Sequence, residues 1–304
     1  MDRHDPRDAP AVPSALHLLL ALAVVAVWGS NFVVIKVALR DLPPLAMATL
    51  RFTLAFVPAA FFVPRPAIAL RNLASYGLAI GVGQFGLLYL AMRGHISPGL
   101  ASLVIQSQVF FTIAIAMRRA RALPQVYQLV AVLLAALGIG LVLAFTDATT
   151  TPLGLGLVLL AALSWAYGNL VSASARGVSM LAYVVWSSAF AIVPLALLSL
   201  LVDGWAAVRE GCANAGQNVW LAVLWQAWGN TLFGYGAWSF LLARYPASTI
   251  APTALLVPIF GITASALFLH EPMPPWKLAA AALVLGGLVV NLWGARRIAA
   301  TKAA

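Results

Sequence analysis

Ten uncharged side chains lie within long apolar stretches of this sequence and have the chemistry to bind a small polar solute. Five carry an amide or a hydroxyl, and an amide both donates and accepts hydrogen bonds, so it can hold a carboxylate or an ammonium group. Five are aromatic, and their rings can contact an apolar side chain or attract an ammonium group. These candidate binding residues are Ser30, Asn31, Gln84, Gln106, Gln108, Trp165, Tyr167, Trp228, Tyr235 and Trp238.

The same sequence offers no plausible catalytic group. It contains no phosphate-binding Gly-rich loop, no Walker motif, no HExxH helix and no paired aspartates inside an apolar stretch. The four histidines lie near the ends of apolar stretches or in the N-terminal segment, without the spacing of metal ligands. We therefore expect that the protein is not an enzyme and that it needs no metal and no cofactor.

The composition is that of a membrane protein. Hydrophobic residues make up 63% of the 304 residues and charged residues only 9%, against about 25% charged residues in soluble proteins. An apolar helix of about 20 residues spans a bilayer core of about 30 Å. We predict an all-α polytopic membrane protein with ten spans, at His17–Leu39, Leu45–Val63, Leu73–Met92, Pro98–Met117, Gln125–Phe145, Leu153–Ser172, Met180–Val202, Val219–Leu242, Ser248–Leu269 and Trp276–Trp293.

The basic residues indicate an orientation. Twelve of the 18 Lys and Arg residues fall in segments on the same side as the N-terminus, four on the other side, and Lys36 and Arg51 within spans. Because cytoplasmic loops carry an excess of Lys and Arg, both termini are predicted to be cytoplasmic. The net charge of +10 is thus explained by topology, and we expect no nucleic-acid partner because no soluble basic domain exists.

The acidic residues bear on energy coupling. All eight lie outside the predicted spans, three in the N-terminal tail and five in loops of the opposite side: Asp41, Asp147, Asp203, Glu210 and Glu271. A proton-coupled pump usually keeps an intramembrane Asp or Glu as its proton carrier. A carrier built from this chain is therefore expected to be a uniporter, with proton coupling through other groups as the alternative.

Several candidate residues also have a purely structural interpretation. Gln106 and Gln108 are two residues apart, so on an α-helix they point about 200° apart. We expect one to face a solute path and the other to bond a neighbouring helix, while the alternative is that both only join helices. Asn31 beside Gly29 could serve close helix packing, and the aromatic residues could form interfacial belts. Arg51 within the second span must be paired with another group or hydrated, and we favour a role as a structural anchor. For Tyr89 we favour an interfacial position.

The chain contains an internal repeat. VWGSNFVV at Val27–Val34 corresponds to SWAYGNLV at Ser164–Val171, and Ser97–Pro124 corresponds to Tyr245–Pro274. Each half holds five predicted spans, an odd number, so the second half is inverted in the membrane. We predict a cytoplasmic tail at 1–14, a first repeat at 15–145, a second repeat at 153–294 and a tail at 295–304.

These motifs resemble a known family. WGSNFVVIK in the first span, PGLASLVIQSQVFFT at Pro98–Thr112, GYGAWSFLLARY at Gly234–Tyr245 and HEPMPPWKLAAAALVLGGLVVN at His270–Asn291 are similar to the drug/metabolite transporter superfamily, and within it to ten-span EamA-type bacterial amino-acid exporters. One departure stands out. The family usually has a Gly-Glu pair where this chain has Arg118–Arg121, so its acidic residue survives only at Glu271.

The resemblance implies two inverted five-helix repeats around a central cavity in the bacterial inner membrane. It implies export of amino acids and related metabolites, of the aromatic, threonine or cysteine/O-acetylserine class, by alternating access. The expected partners are this small-molecule substrate and the lipid bilayer, and ten spans can enclose a cavity in a monomer. Another small cargo of the same superfamily is the nearest alternative, followed by a membrane-embedded enzyme or a non-transporting membrane protein.

Overall fold

The structure is a computed structural model and describes residues 13–121, 123–145, 149–175 and 177–303. Its described residues form helices and contain no strand. In chain order the helices are α1 (Ala15–Ala38), α2 (Pro44–Ala60), α3 (Leu70–Met92), α4 (Pro98–Ala120), α5 (Val126–Ala144), α6 (Pro152–Ser172), α7 (Met180–Asp203), α8 (Trp205–Asn214), α9 (217–242), α10 (247–269) and α11 (Pro275–Ala303). Most of the predicted tail at 1–14, together with Asp147 and Arg176, lies outside the described residues.

Eight of these helices are long and apolar enough to cross a membrane, which makes the chain a multi-pass membrane protein. They are the helices other than α2, α8 and α9. Helix α2 is apolar but has only 17 residues. Helix α9 is long, but its hydropathy is lowered by amides such as Gln226 and Asn230 and by four tryptophans.

The segment Asp203–Asn218, which connects the predicted spans Met180–Val202 and Val219–Leu242, contains helix α8. Gly204, with a positive φ of 85°, ends α7 and allows the chain to turn into it. The sequence that follows has no proline and several good helix formers. Helix α8 packs on the α1–α2 loop, where a Cβ atom at Gly211 would lie 2.7 Å from the Asp41 carbonyl oxygen.

The helix ends lie on two opposite faces of the bundle. We call the face where α1 begins the proximal face and the face where α1 ends the distal face. At the proximal face His17 Nδ1 is 2.6 Å from the Tyr245 hydroxyl, which joins the start of α1 to the end of α9. At the distal face the Thr151 N–H donates to the His95 carbonyl at 2.9 Å, which joins the end of α3 to the start of α6. Consecutive membrane helices therefore run in opposite directions.

The two faces differ in charge. The described basic residues of the proximal face are Arg65, Arg71, Arg118, Arg119, Arg121, Arg244, Arg296 and Arg297. The distal face has Arg40, Arg93, Arg209 and Lys277 together with the carboxylates Asp41, Asp203, Glu210 and Glu271. The proximal face is thus strongly positive, and the distal face is close to neutral.

Helices α1, α4 and α10 pack closely because glycines remove side chains at their crossings. A Cβ atom at Gly29 would lie 2.5 Å from Phe260 Cβ, and one at Gly261 would lie 2.5 Å from Ser102 Cβ. Small residues of this kind allow membrane helices to approach. These crossings hold three of the helices that surround the cavity described below.

Four irregular segments interrupt the helices around the centre of the bundle. Helix α3 is a π-helix over Leu78–Gly86, and α9 is a π-helix over Trp225–Phe233. Helix α4 has a 3₁₀ turn at Ile105–Ser107, and α10 has one at Ala251–Leu256. Such segments occur frequently at functional sites because they rotate side chains away from the regular helical phase.

Candidate functional site

A cavity of about 420 Å³ lies between the helices and reaches furthest towards the proximal face. Its distal end is formed by Ile35 and Leu88, about one turn before α1 and α3 end. Its proximal end includes Ser172, the last residue of α6, and Met180, the first residue of α7. The other lining residues are Trp28, Asn31, Phe32, Tyr76, Gln84, Phe85, Ile105, Gln106, Gln108, Trp165, Asn169, Asn230, Tyr235, Trp238, Ala254 and Val257.

Four amides carry unpaired hydrogen-bonding groups in this wall. The Asn31 side chain is only 4% exposed, and its Oδ1 has no partner among the described residues. The side chains of Gln84, Gln106 and Asn230 line the same cavity, and the described residues give them no hydrogen bond. Buried amides without partners are costly unless a ligand or water satisfies them. The wall is therefore equipped to bind a polar solute.

Gln106 and Gln108 both line the cavity, contrary to our expectation that only one would. The 3₁₀ turn at Ile105–Ser107 rotates the helix between them, which the regular α-helical angle did not anticipate. The second half of the expectation agrees with the structure, because Asn169 Nδ2 on α6 donates to Gln108 Oε1 at 2.7 Å. Gln108 is thus held by a neighbouring helix, while Gln106 is not.

Aromatic rings from α1 and α9 form one side of the cavity. The Trp28 ring centroid lies 5.1 Å from that of Trp238 and 5.5 Å from that of Tyr235. The Trp28 indole N–H donates to the Asn230 carbonyl at 3.1 Å, and the indole lies against Gly234. Rings fixed in this way can contact an apolar side chain or attract an ammonium group.

The Gly234→Ala substitution is expected to weaken solute binding. Its Cβ would overlap Trp28 Nε1, so the indole must shift and the bond to Asn230 is lost. Gly236→Ala on the same helix is the matched control, because its Cβ would lie 3.7 Å from Leu181 Cδ2, an ordinary contact. Titration of the tryptophan fluorescence should show weaker binding for Gly234→Ala alone, and equal binding by the two variants would contradict this role of Trp28.

Seven of the ten candidate residues line the cavity, and Ser30, Tyr167 and Trp228 do not. The Ser30 hydroxyl donates to the Ala26 carbonyl of its own helix at 2.7 Å. Tyr167 is 44% exposed and lies on the opposite side of α6 from Trp165. Trp228 is 46% exposed, and its indole donates to the Leu54 carbonyl at 3.1 Å. These three residues are therefore not part of the cavity wall.

Trp28, Tyr76 and Phe85 also line the cavity and were not among the predicted binding residues. Trp28 had a usable signal, since it lies in the WGSNFVVIK motif and corresponds to Trp165 in the repeat. For Tyr76 and Phe85 no sequence signal separates a cavity position from ordinary core packing.

The described residues that line the cavity include no Asp, Glu, Lys or Arg, but a buried cation lies directly behind the wall. Arg51 is 1% exposed, and its guanidinium carbon lies 3.7 Å from the centroid of the cavity-lining Phe85 ring. Arg51 Nη1 donates to the Tyr89 hydroxyl at 2.7 Å and to Gln226 Oε1 at 3.1 Å, and Nη2 donates to Thr231 Oγ1 at 3.2 Å. Tyr89 is fully buried in this network, so our expectation of an interfacial position was wrong.

Two carboxylates hold the distal face together. Asp203 Oδ2, at the end of α7, accepts the N–H groups of Leu45 and Ala46 at 3.0 Å each and so caps the start of α2. Glu271, just after α10, accepts the Gly99 N–H at 3.0 Å and so caps the start of α4. Carboxylates are favourable at helix N-termini because the N–H groups there are otherwise unpaired.

Glu271 also binds three side chains. Lys277 Nζ lies 2.9 Å from Oε1, and the hydroxyls of Ser97 and Ser265 donate to the two carboxylate oxygens. Burial raises the pKa of Glu271, but the hydrogen bonds from Ser265, Ser97, Lys277 and the Gly99 N–H outweigh it and hold the pKa below the ordinary value. Glu271 is thus an ionised link between α4, α10 and α11 at the closed end of the cavity.

Comparison with known proteins identifies relatives over nearly the whole chain. The EamA-like transporter family matches residues 15–144 and 152–293. A protein of Salmonella typhimurium called "Probable amino-acid metabolite efflux pump" is 40% identical over 283 residues, covering 91% of this chain and 95% of the relative. A protein of Escherichia coli K12 with the same description is 39% identical over 291 residues, covering 93% and 97%. A solved crystal structure shares the fold with a TM-score of 0.63 at 17% identity, covering 94% of this chain and 98% of that chain.

Proposed function

Because the chain belongs to the EamA-like transporter family and is a transporter rather than an enzyme, we propose that it exports amino acids and related metabolites across the bacterial inner membrane. The cargo would be of the aromatic, threonine or cysteine/O-acetylserine class. The observation that carries this proposal is the cavity itself, which combines unpaired amides with aromatic rings and has no ionised side chain among its described lining residues. The two relatives near 40% identity are described as probable amino-acid metabolite efflux pumps, which supports amino-acid metabolites as the cargo.

An amino acid is a zwitterion, and a neutral wall suits it. The Asn31 carbonyl can accept from an ammonium group, and amide N–H groups such as those of Gln84 and Gln106 can donate to a carboxylate. The rings of Trp28, Tyr235 and Trp238 can contact the side chain of the solute. Because no ion pair fixes the position of that side chain, we expect loose specificity within the class.

We further propose ten membrane helices, namely all except α8, in two inverted repeats at 15–145 and 153–294. The irregular segments support this arrangement, because π-helices occur in α3 and α9 and 3₁₀ turns in α4 and α10, the third and fourth membrane helices of the two halves. Helices α4 and α10 are each followed by a residue in the left-handed backbone conformation, Arg121 and His270 respectively. The 3₁₀ turns and the left-handed residues lie within Ser97–Pro124 and Tyr245–Pro274, which first indicated the repeat. The π-helices lie outside those two segments.

The proposed mechanism is alternating access by a monomer in the bilayer. The positive charge of the proximal face supports a cytoplasmic location of that face and of both termini. The cavity, which reaches towards this face, then corresponds to an inward-facing state that loads solute from the cytoplasm. Release requires the helices of the two halves to separate at the distal face, where Asp203 and Glu271 join them.

Efflux from proteoliposomes tests the function. Vesicles are loaded with labelled phenylalanine, tryptophan, threonine, cysteine or O-acetylserine, and saturable efflux of at least one of them is expected. Protein-free vesicles provide the control. Saturable efflux of a different small metabolite, with none of these five, would instead favour another cargo of the superfamily.

The same vesicles test the predicted uniport. Because all eight carboxylates of the sequence lie outside the ten predicted spans, efflux should run down the amino-acid gradient without a pH gradient. Collapse of the pH gradient with a protonophore is expected to leave the initial rate unchanged within error. Strict dependence of the rate on that gradient would contradict uniport while leaving export itself intact.

A further inference from the structure

The Arg51 network lies beside the cavity, behind the Phe85 ring. Helix α2 begins at the distal face with Pro44, so Arg51 is about 10 Å deep along it, and Tyr89 is three residues before the distal end of α3. Phe85 and Leu88, next to Tyr89 on α3, form part of the cavity wall. The guanidinium is therefore separated from the cavity by the thickness of one phenylalanine ring.

The charge of Arg51 has no counter-ion among the described residues. Its contacts are the neutral oxygens of Tyr89, Gln226 and Thr231 and the faces of two phenylalanine rings. A buried cation without an opposite charge is costly, and such residues within membrane proteins usually mark a solute or ion pathway. This cost is retained here directly behind the wall of the cavity.

Two buried donors of the network also lack partners. Arg51 Nε and Gln226 Nε2 have no hydrogen bond among the described residues. The network is therefore deficient both in negative charge and in acceptors, and a carboxylate supplies one charge and two acceptor oxygens. The planar guanidinium is the side chain best matched to a carboxylate.

Two of the helices that carry the network are π-helical at this level. Phe85 lies in the π-helix of α3, and Gln226 and Thr231 lie in the π-helix of α9. The Thr231 hydroxyl donates to the Gln226 carbonyl, five residues earlier, at 2.9 Å. π-Helical segments are rare and are found frequently at functional sites.

We propose that Arg51 and Gln226 form a second binding position, behind the Phe85 ring, for the carboxylate of the transported solute. The proposal rests on the proposed export function. In the closed state the oxygens of Tyr89 and Gln226 accept hydrogen bonds from the guanidinium. During export the carboxylate of the solute replaces these oxygens and separates α2, α3 and α9 at this level.

The Gln226→Glu substitution tests this position. The introduced carboxylate would keep the position of the amide, pair permanently with Arg51 and so compete with the solute. We expect amino-acid binding, measured by tryptophan fluorescence, to stay within about two-fold of wild type, and efflux to slow about ten-fold or more. Asn218→Asp adds a carboxylate at an exposed position of the same helix and should match wild type in both assays.

Equal efflux by the Gln226→Glu and Asn218→Asp variants would overturn the proposal, and so would equal losses of binding and efflux, because Gln226 would then act on the cavity. If Gln226→Glu does not fold, Arg51→Lys tests the proposal, because it keeps the positive charge and removes the planar guanidinium. It should retain binding and slow efflux, and unimpaired efflux would overturn the proposal. A lack of efflux by the wild-type protein contradicts the proposed function instead.

Discussion

Replacing Asn31 by alanine is expected to lower the affinity for amino acids about ten- to a hundred-fold while the protein stays folded. Hydrogen bonds to charged groups contribute about 1.5–3 kcal/mol each, which corresponds to this range. Asn31 Oδ1 has no partner among the described residues, so its removal breaks no bond of the empty protein. Fluorescence titration of the purified protein measures the affinity, and the thermal midpoint measures the fold.

Ser30→Ala is the matched control for Asn31→Ala. Ser30 is the neighbouring residue on α1, but its hydroxyl bonds the Ala26 carbonyl of the same helix, and it lies outside the cavity wall. Its removal should leave the affinity unchanged. If both variants bind as wild type, or if Asn31→Ala loses thermal stability as well as affinity, Asn31 serves packing next to Gly29 and not the solute.

Replacing Glu271 by alanine is expected to destabilise the protein by about 3–5 kcal/mol. The substitution leaves the ammonium of Lys277, a residue that is only 8% exposed, without its ion-pair partner. It also removes the acceptor of the Gly99 N–H and of two serine hydroxyls. The distal link between α4, α10 and α11 is lost, and the thermal midpoint should fall by several degrees.

Glu210→Ala on α8 provides the control for Glu271→Ala. Glu210 is an exposed carboxylate of the same face, and exposed acids contribute little to stability. Its removal should shift the thermal midpoint by less than the error of a replicate. A midpoint of Glu271→Ala equal to that of Glu210→Ala would show that the Glu271 contacts do not stabilise the closed distal face.

The Glu271 contribution should also depend on pH in a defined direction. Because the pKa of Glu271 is lowered in the folded protein, its stabilising effect is complete above the ordinary value near 4.5 and is lost as the pH falls below that value. The thermal midpoint of the wild type should therefore fall more steeply between pH 5 and pH 3 than that of Glu271→Ala. Parallel curves for the two proteins would contradict the assignment.

The sequence predicted the helices well because apolar runs of membrane length have few alternatives. It predicted the direction of individual side chains less well. Trp228, Tyr235 and Trp238 lie on one helix, but lipid and cavity both accept aromatic rings, so composition does not tell the two sides of α9 apart. The π-helix at Trp225–Phe233 also shifts the phase on which such an assignment depends.

Contacts between distant parts of the chain were beyond the sequence. Tyr89 near a span end suggested an interfacial residue, because nothing in the sequence joins it to Arg51 and Gln226. Likewise, the resemblance marked Glu271 as the one surviving acidic residue of the family pattern, but its partners Ser97 and Gly99 lie more than 170 residues earlier. Such contacts form only when the helices assemble, so local sequence patterns do not predict them.

The central claim is that amino acids cross the membrane through the cavity, and site-directed thiol blockade tests it most directly. Met180→Cys places a thiol at the proximal end of the cavity, and Asn214→Cys places one on exposed α8, both in a Cys212→Ser background that removes the single native cysteine. In proteoliposomes we expect saturable amino-acid efflux that a bulky thiol reagent stops for Met180→Cys only, with protection by the amino acid. Absence of saturable efflux for all five amino acids, or efflux by Met180→Cys that persists after complete labelling, would contradict it.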